Sequence, residues 1–566
     1  MTKFGKRAVW GWAVLIFLAG LAFIAASNLA FGEKEGLFLW QQERWELLLW
    51  AAGFWFVLLS GLLALTIAQP QWFARSFDKQ LPRWMVVLVL GGLLAIFVGA
   101  YSWLAISRHQ AFNSTGYDLA INEQIVWNTL NGRFFASSLE VDNSFADHFR
   151  PLLMAMIPFY AVSPRPETLL VLQTIGLALG AIPLYFLAKE QWGNQLAALG
   201  ITAVYLLFPA LGYMARFDFH IEVFAIPAFL AAFYMLTHER WGWATFWLIV
   251  TLLCKENMGL IVAMFGVYAL IKQRNLKWGV AWIILGLATF WLTSFWLIPL
   301  VRGEASDTMV RYAWLGESPA DMVMTAFTQP GLILRDLTQP HRLFYLTQLL
   351  LPLGFLALFG WPEFLLVLPG LGLNLLAQHH CQSAIYCQYT APVVPFLFIA
   401  AVFGVSALRR LFNVQPLPAL LLLLLLPMAA YSLWVDNPFV ETTAVPDALT
   451  PPDNAEVVRQ ALASVPPELS LVTTNDYAPH LAQREELFVI GIPSQRVAPI
   501  DPEVVFINLY DQQYIVCDQY REYTSQLDLE RYGVTFRTGG LIVMQRDAGD
   551  NAGFRDFIEN WNNCAG

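Results

Sequence analysis

The sequence predicts a polytopic α-helical membrane protein of about 13 transmembrane helices with a small C-terminal α/β domain outside the bilayer. Three observations point there. The 566 residues are 57% hydrophobic and only 13% charged, about half the usual charged share of a globular protein. Apolar runs near 20 residues recur over the first three quarters of the chain, the length that crosses a hydrocarbon core of about 30 Å. From Asp436 the composition turns polar, and short apolar stretches alternate with one amphipathic segment.

In chain order, candidate spans lie near 9–31, 46–69, 84–106, 168–188, 195–213, 221–237, 241–254, 257–271, 279–300, 343–360, 362–377, 391–408 and 416–435. Lys3, Lys6 and Arg7 resemble the start of a signal peptide. No small-residue cleavage site follows and more spans do, so the first segment reads as a retained span. This divides the chain into two N-terminal spans (1–83), a membrane core (84–435) with long loops at 107–167 and 301–342, and a domain at 436–566.

Orientation follows from the basic residues of the connections. Lys3, Lys6, Arg7, Arg75, Lys79, Arg83, Lys189, Arg240, Lys272, Arg274, Lys277, Arg409 and Arg410 crowd one side, at roughly three times the density of the other. The N-terminus is therefore expected in the cytoplasm and the C-terminal domain outside, in a multi-pass protein of the plasma (inner) membrane. The net charge of -9 and the absence of a basic run argue against a nucleic-acid partner.

Pro438, Pro446, Pro451 and Pro452 make a stiff linker. Beyond it the pattern predicts a helix at 454–464, a strand at 469–474, a helix at 477–483, and strands near 486–491, 503–509, 530–537 and 540–545. This domain is expected to cover the outer mouth of the bundle. Of the five cysteines, Cys254 falls in a span and four fall outside. An oxidising compartment favours two local disulfides, Cys381–Cys387 and Cys517–Cys564. Their spacing matches no zinc pattern.

Polar clusters gather on the outer side. Asp118 follows the third span and opens a helical stretch whose Leu119, Ile121, Val126 and Trp127 suit a lipid–water boundary. It is either a helix cap or a reactive carboxylate. His148 closes the same loop, either as an interfacial residue or as part of a site. Asp218, His220 and Glu222 alternate at the mouth of a span, which is costly unless they pair or line a wet cavity. Lys255 and Glu256 sit between apolar runs, as a mutual salt bridge or as a cation held for an anion such as a lipid phosphate. Arg302 and Arg311 add further cations in the second long loop. A carboxylate, a histidine and cations at a lipid surface are the parts that transfer a group from a lipid phosphate.

These residues also carry a resemblance. Gly116-Tyr117-Asp118, Gln124-Ile125-Val126-Trp127, His148-Phe149-Arg150-Pro151, Phe217-Asp218-Phe219-His220-Ile221-Glu222, Lys255-Glu256, Tyr312-Ala313-Trp314 and Gln388-Tyr389-Thr390-Ala391-Pro392 occur in an order that resembles the bacterial membrane family called domain of unknown function 2079. That family is similar to the GT-C glycosyltransferases, which include protein mannosyltransferases and aminoarabinose transferases. The resemblance implies a polyprenyl-phosphate sugar donor, a glycan, lipid or protein acceptor, and an inverting mechanism. It puts Asp118 at the place of the catalytic base. His148–Pro151 looks like the His-Pro-Pro block of the mannosyltransferases without its first proline. Asp118 lacks an adjacent acidic residue, so a second acidic role falls to Glu123 or Asp218. Lys255, Arg302 and Arg311 would bind the donor phosphate, while Asp218, His220, Glu222 and Glu256 would shape the cavity. Some GT-C enzymes use a divalent metal, so Mg or Mn bridging Asp118, Asp218 or His220 is compatible with this set. The rival reading is a transporter or flippase of a lipid-linked or polar solute, and a weaker one is an envelope scaffold. Transporters place charges near the midplane and show related halves, whereas here the polar groups crowd one face.

Overall fold

The computed structural model describes residues 80–140, 143–304, 307–412, 437–439, 450–490, 501–508, 522–523 and 525–548, with single positions elsewhere. The expected spans at 9–31, 46–69 and 416–435 lie outside the described residues, as do Cys517 and Cys564.

The membrane part runs through α1 (Arg83–Gln110), a π-helical turn (Gly116–Ala120), α2 (Ile121–Leu130), α3 (Pro151–Val162), α4 (Pro166–Trp192), α5 (Gln195–Leu206) and α6 (Pro209–Arg216). It continues through α7 (Ile221–Thr237), α8 (Trp241–Leu252), α9 (Met258–Ile271) and α10 (Leu276–Arg302). Then come α11 (Pro319–Thr328), α12 (Pro330–Leu337), α13 (Pro340–Leu350), α14 (Glu363–Leu376) and α15 (Val394–Phe412). Proline occupies the first turn of α3, α4, α6, α11, α12 and α13. There its missing N–H costs nothing and its fixed φ starts the helix. Asn194 and Asn275 cap α5 and α10 by accepting from Ala197 N and Trp278 N.

Among the described residues, α1, α4, α10 and α15 are long and apolar enough to cross a membrane, and α5 with α6 would make a fifth span bent by 46°. The bend falls at Pro209, which cannot donate a helical hydrogen bond. The remaining apolar helices α3, α7, α8, α9 and α14 are shorter. Residues 343–360 do not form one span. Helix α13 stops at Leu350, and Pro352 together with the positive φ of Gly354 and Phe355 turns the chain through two 3-10 segments to Phe359. Large apolar side chains stay exposed along α1 (Leu88, Ile96, Trp103) and α10 (Leu287, Trp291, Trp296). A water-facing surface of that kind is disfavoured, and a lipid-facing one is expected.

Helices α9 and α10 form a hairpin packed through glycine. A Cβ on Gly259 would lie 2.4 Å from Gly286 O, and one on Gly286 would lie 2.3 Å from Gly259 O. Such small residues let two backbones approach where no aqueous hydrophobic effect drives them together.

The C-terminal part holds α16 (Ala455–Ala463) and strands β1 (Leu471–Thr473), β2 (Leu487–Val489), β3 (Val504–Asn508), β4 (Tyr532–Thr538) and β5 (Leu541–Arg546). The sheet order is β2-β1-β3-β5-β4, with β1 parallel to both neighbours and the β3–β5 and β5–β4 pairs antiparallel. The helix expected at 477–483 is a single 3-10 turn, Ala478–His480. One face of the sheet shares a core with the first long loop. Leu119, Ile121, Ile125 and Val126 are buried with Ala455, Val458, Leu471, Leu487 and Val504. The apolar side of α2 therefore packs on the sheet domain rather than at a lipid boundary. Burial of each such side chain favours this docking by roughly 1.5–3 kcal/mol over exposure.

Candidate active site

The end of α1 sets the first wall. Arg108 Nη1 lies 2.5 Å from Asp218 Oδ1, and Asp218 Oδ2 accepts from Thr115 N at 2.8 Å and from Thr115 Oγ1 at 2.7 Å. Both Asp218 oxygens are thereby used, and the residue is 1% exposed. It staples the chain after α1 to the segment before α7 and does not line the cavity as expected from the sequence.

With that staple in place, the π-helical turn presents Asp118. Its Oδ1 lies 2.9 Å from His220 Nε2, and Oδ2 accepts from Thr115 Oγ1 at 3.4 Å. No side-chain cap is made at this helix start, where Thr115 holds the cap position. His220 Nδ1 faces Asp218 O at 2.9 Å. A carbonyl only accepts, so Nδ1 carries a proton, and the imidazole stacks on Phe217 with centroids 5.4 Å apart. Burial alone would raise the Asp118 pKa, yet the His220 charge and hydrogen bond outweigh it and hold the carboxyl below its ordinary range. Burial would lower His220, and Asp118 reverses that too, so its pKa is raised. The pair is an imidazolium–carboxylate couple.

The opposite wall comes from the break between α8 and α9. Lys255 Nζ binds Glu222 Oε1 at 2.6 Å and lies 5.7 Å from the centre of the Tyr389 ring. Glu256 accepts from Phe149 N at 3.1 Å and sits 3.1 Å from His148 Nδ1. Arg311 Nη1 donates to Gln382 Oε1 at 3.0 Å and to Tyr389 OH at 3.1 Å. A Cys381–Cys387 disulfide closes the loop that supplies Gln382, while Cys254 is a buried thiol. Arg302 meets Glu304 at 3.3 Å.

Two cavities result. A polar one of about 480 Å³ is lined by Asp118, His148, Arg150, His220, Arg302 and His379, among others. An apolar one of about 470 Å³ is lined by Phe290, Ile298, Leu315, Val323, Leu368 and Leu376, among others. His148, Glu222, Lys255, Arg311, Gln388 and Tyr389 line both. The two chambers thus share a wall carrying two cations.

Glu123 does not join this site. It faces the sheet domain, where Tyr160 OH donates to it at 2.8 Å and Gln483 Nε2 at 3.0 Å. Burial there pushes its pKa up to about 8. The donor set for a metal is also incomplete. Asp118 and His220 meet, but Asp218 is taken by Arg108 and Thr115, and among the described residues no three His, Cys, Asp or Glu side chains gather to hold an ion.

Several lining residues escaped the sequence reading. Arg150 pairs with Glu140, donates to Ser144 Oγ at 2.8 Å and reaches Asn122 Oδ1 at 3.5 Å. Its place in the His148–Pro151 block was the available signal. Tyr389 stands in the Gln388–Pro392 block of the resemblance, which gave it no role, and His379 belongs to the same short loop. Burial and the Arg311 charge lower His379 to about 4, so it is a neutral donor–acceptor in the chamber.

Two crystal structures of ArnT from Cupriavidus metallidurans are similar to this chain. The one bound to undecaprenyl phosphate has 13% identity and a TM-score of 0.47, covering 82% of this chain and 99% of that one. The apo structure has 12% identity and a TM-score of 0.45, with the same coverage. Overlaps this loose leave the chemistry to be read from the side chains themselves. No curated protein matches the chain. The family model described as "Predicted membrane protein (DUF2079)" matches residues 108–543, most of the sequence and nearly every element above, and the chain belongs to that family.

Proposed function

We propose that this protein is an inverting GT-C-type glycosyltransferase that moves a sugar from a polyprenyl-phosphate carrier to a hydroxyl of a glycan, lipid or protein outside the cytoplasm. The observation that carries this reading is the pair of chambers, one polar and one apolar, meeting at Lys255 and Arg311. A substrate that fits both must be an amphiphile with an anion at its junction, which is the form of a prenyl chain, a phosphate and a sugar. The prenyl chain would occupy the apolar chamber and the sugar the polar one.

In this mechanism the acceptor oxygen attacks the anomeric carbon and loses its proton to Asp118. The bond from that carbon to the phosphate oxygen breaks, and its electron pair leaves with the phosphate. Lys255 and Arg311, with Arg302 nearby, neutralise the departing charge. His220 holds Asp118 ionised, and Glu222 holds Lys255 at the junction. Neither role requires Glu123 or Asp218. In this reading the site opens outward, with the N-terminus cytoplasmic and the sheet domain outside, as the basic connections imply.

The test is product formation by purified protein in lipid nanodiscs supplied with a polyprenyl-phosphate sugar and a hydroxyl acceptor. Release of free polyprenyl phosphate together with a glycosylated acceptor supports the reading. Movement of the intact donor across proteoliposomes without cleavage would support a flippase instead.

A further inference from the structure

Asp118 lies on a turn held from two sides. From the membrane core, Asp218 grips Thr115. From the sheet domain, Asn475, in the loop directly after β1, takes the next peptide groups. Gly116 N donates to both Asn475 O at 2.8 Å and Asn475 Oδ1 at 2.9 Å, and Tyr117 N reaches the same Oδ1 at 3.4 Å. Asn475 is 3% exposed, so water does not compete for these bonds. The approach is close: a Cβ on Gly116 would stand 3.1 Å from Ala478 Cβ and 3.2 Å from both Asn475 Oδ1 and Val489 Cγ2, so its neighbours would have to give by a few tenths of an ångström.

We propose that Asn475 is a positioning residue for Asp118, so that the sheet domain forms part of the catalytic wall. It fixes the Gly116–Tyr117 peptide and thereby holds the Asp118 carboxylate against His220. This rests on the reading of Asp118 as the base, and it assigns the C-terminal domain a task distinct from covering the mouth. The rest of the docking surface serves as an internal control. Glu485 meets Arg133 on the same interface, in an exposed ion pair that leads to no lining residue.

Three variants test this in nanodiscs. Asn475→Ala removes the side-chain acceptor while leaving the main-chain bond, and should lower kcat on the order of 10- to 100-fold with KM for the donor lipid unchanged, as expected for a misplaced catalytic group. Asn475→Asp keeps an oxygen facing both N–H groups and should recover most of that loss. Glu485→Gln should leave kcat and KM as in the wild type. Unchanged kcat in Asn475→Ala, or an equal fall in Glu485→Gln, overturns the proposal. A structure of the Asn475→Ala protein by electron cryomicroscopy decides the matter even if no sugar is transferred. Loss of the Asp118–His220 contact supports the assignment, and retention of the 2.9 Å contact overturns it. An absence of transfer by the wild type would bear on the glycosyltransferase reading alone.

Discussion

Replacing Asp118 by Asn separates its two conceivable roles, because the amide keeps the shape and one acceptor oxygen but loses the base. The structural cost can be bounded. The Asp118 side chain is 26% exposed and pairs with His220 at 2.9 Å, and partly exposed pairs are worth about 1 kcal/mol or less. His220 can also shed its proton once the carboxylate is gone, so no buried cation is stranded. The loss of catalysis is of another size, since removing a general base costs at least about 100-fold in rate, or roughly 2.7 kcal/mol of barrier. Turnover of a polyprenyl-phosphate sugar in nanodiscs, read beside thermal stability, should therefore show a large fall in kcat at nearly constant melting temperature. His220→Gln should reduce kcat less, and the double variant should be no worse than Asp118→Asn, because groups acting as one unit are not additive. The pH dependence follows from the same pair. Asp118, lowered below its ordinary 3.8, loses its contribution as pH falls through that lowered value, and His220, raised above 6.5, loses its own as pH rises through the raised one. The couple is intact between those limits. Near-normal turnover by Asp118→Asn would show that the carboxylate is not the base and would refute the mechanism.

Three other outcomes are expected. Lys255→Met should raise KM for the donor by loss of a charge-assisted contact, and because it also strands Glu222, the Lys255→Met/Glu222→Gln protein should regain stability but not donor affinity. Recovery of affinity would remove Lys255 from the phosphate site. Glu123 has a folded pKa of about 8 against an ordinary 4.5, so its contribution is complete below 4.5 and is lost as pH rises toward 8. Glu123→Gln should accordingly melt higher than the wild type at pH 8 and alike at pH 5, with activity retained; a large kcat loss would return Glu123 to the site. Cys381→Ser/Cys387→Ser should lower stability by about 2 kcal/mol, the chain-entropy value for so short a loop, and should weaken donor binding through Arg311, whose partner Gln382 lies in that loop. An unchanged KM would show that the loop's conformation survives without the disulfide.

Much of the site was legible because polar residues at the ends of apolar runs are costly unless they pair or line water. That reasoning picked out Asp118, His148, His220, Glu222, Lys255 and Glu256, the second long loop added Arg302 and Arg311 as cations, and each of the eight lines one or both chambers. It could not pair them. Lys255 and Glu256 are neighbours that read as a mutual bridge, yet one turns to Glu222 and the other to His148. Glu123 was separable on helical geometry. Five residues at 100° each put it about 140° around the axis from Asp118, while Asn122, four residues on, shares Asp118's side and bonds its carbonyl at 2.8 Å. Asp218 was not separable, since His220 stands two positions away in a non-helical segment and only the fold shows that Arg108 claims the aspartate. The sheet domain was legible in the positions of its strands, but neither their order in the sheet nor its grip on the Asp118 turn was. A single Asn in a polar loop carries no sign of what it will meet 358 and 359 residues earlier in the chain.

The apolar runs that stop short at charged residues are those that build the site. Helices α8 and α9 are each too short to cross alone and are interrupted at Lys255 and Glu256, and α6 stops at Arg216 just before Asp218 and His220. An interrupted helix frees main-chain groups that hydrocarbon cannot satisfy, so such breaks persist only where protein or a wet cavity surrounds them. The breaks thus do two things together. They bring charged side chains to the head of an otherwise apolar bundle, and they require a chamber there to solvate what the helices no longer bond. Short apolar runs that break off at charged residues were themselves the sign of the site.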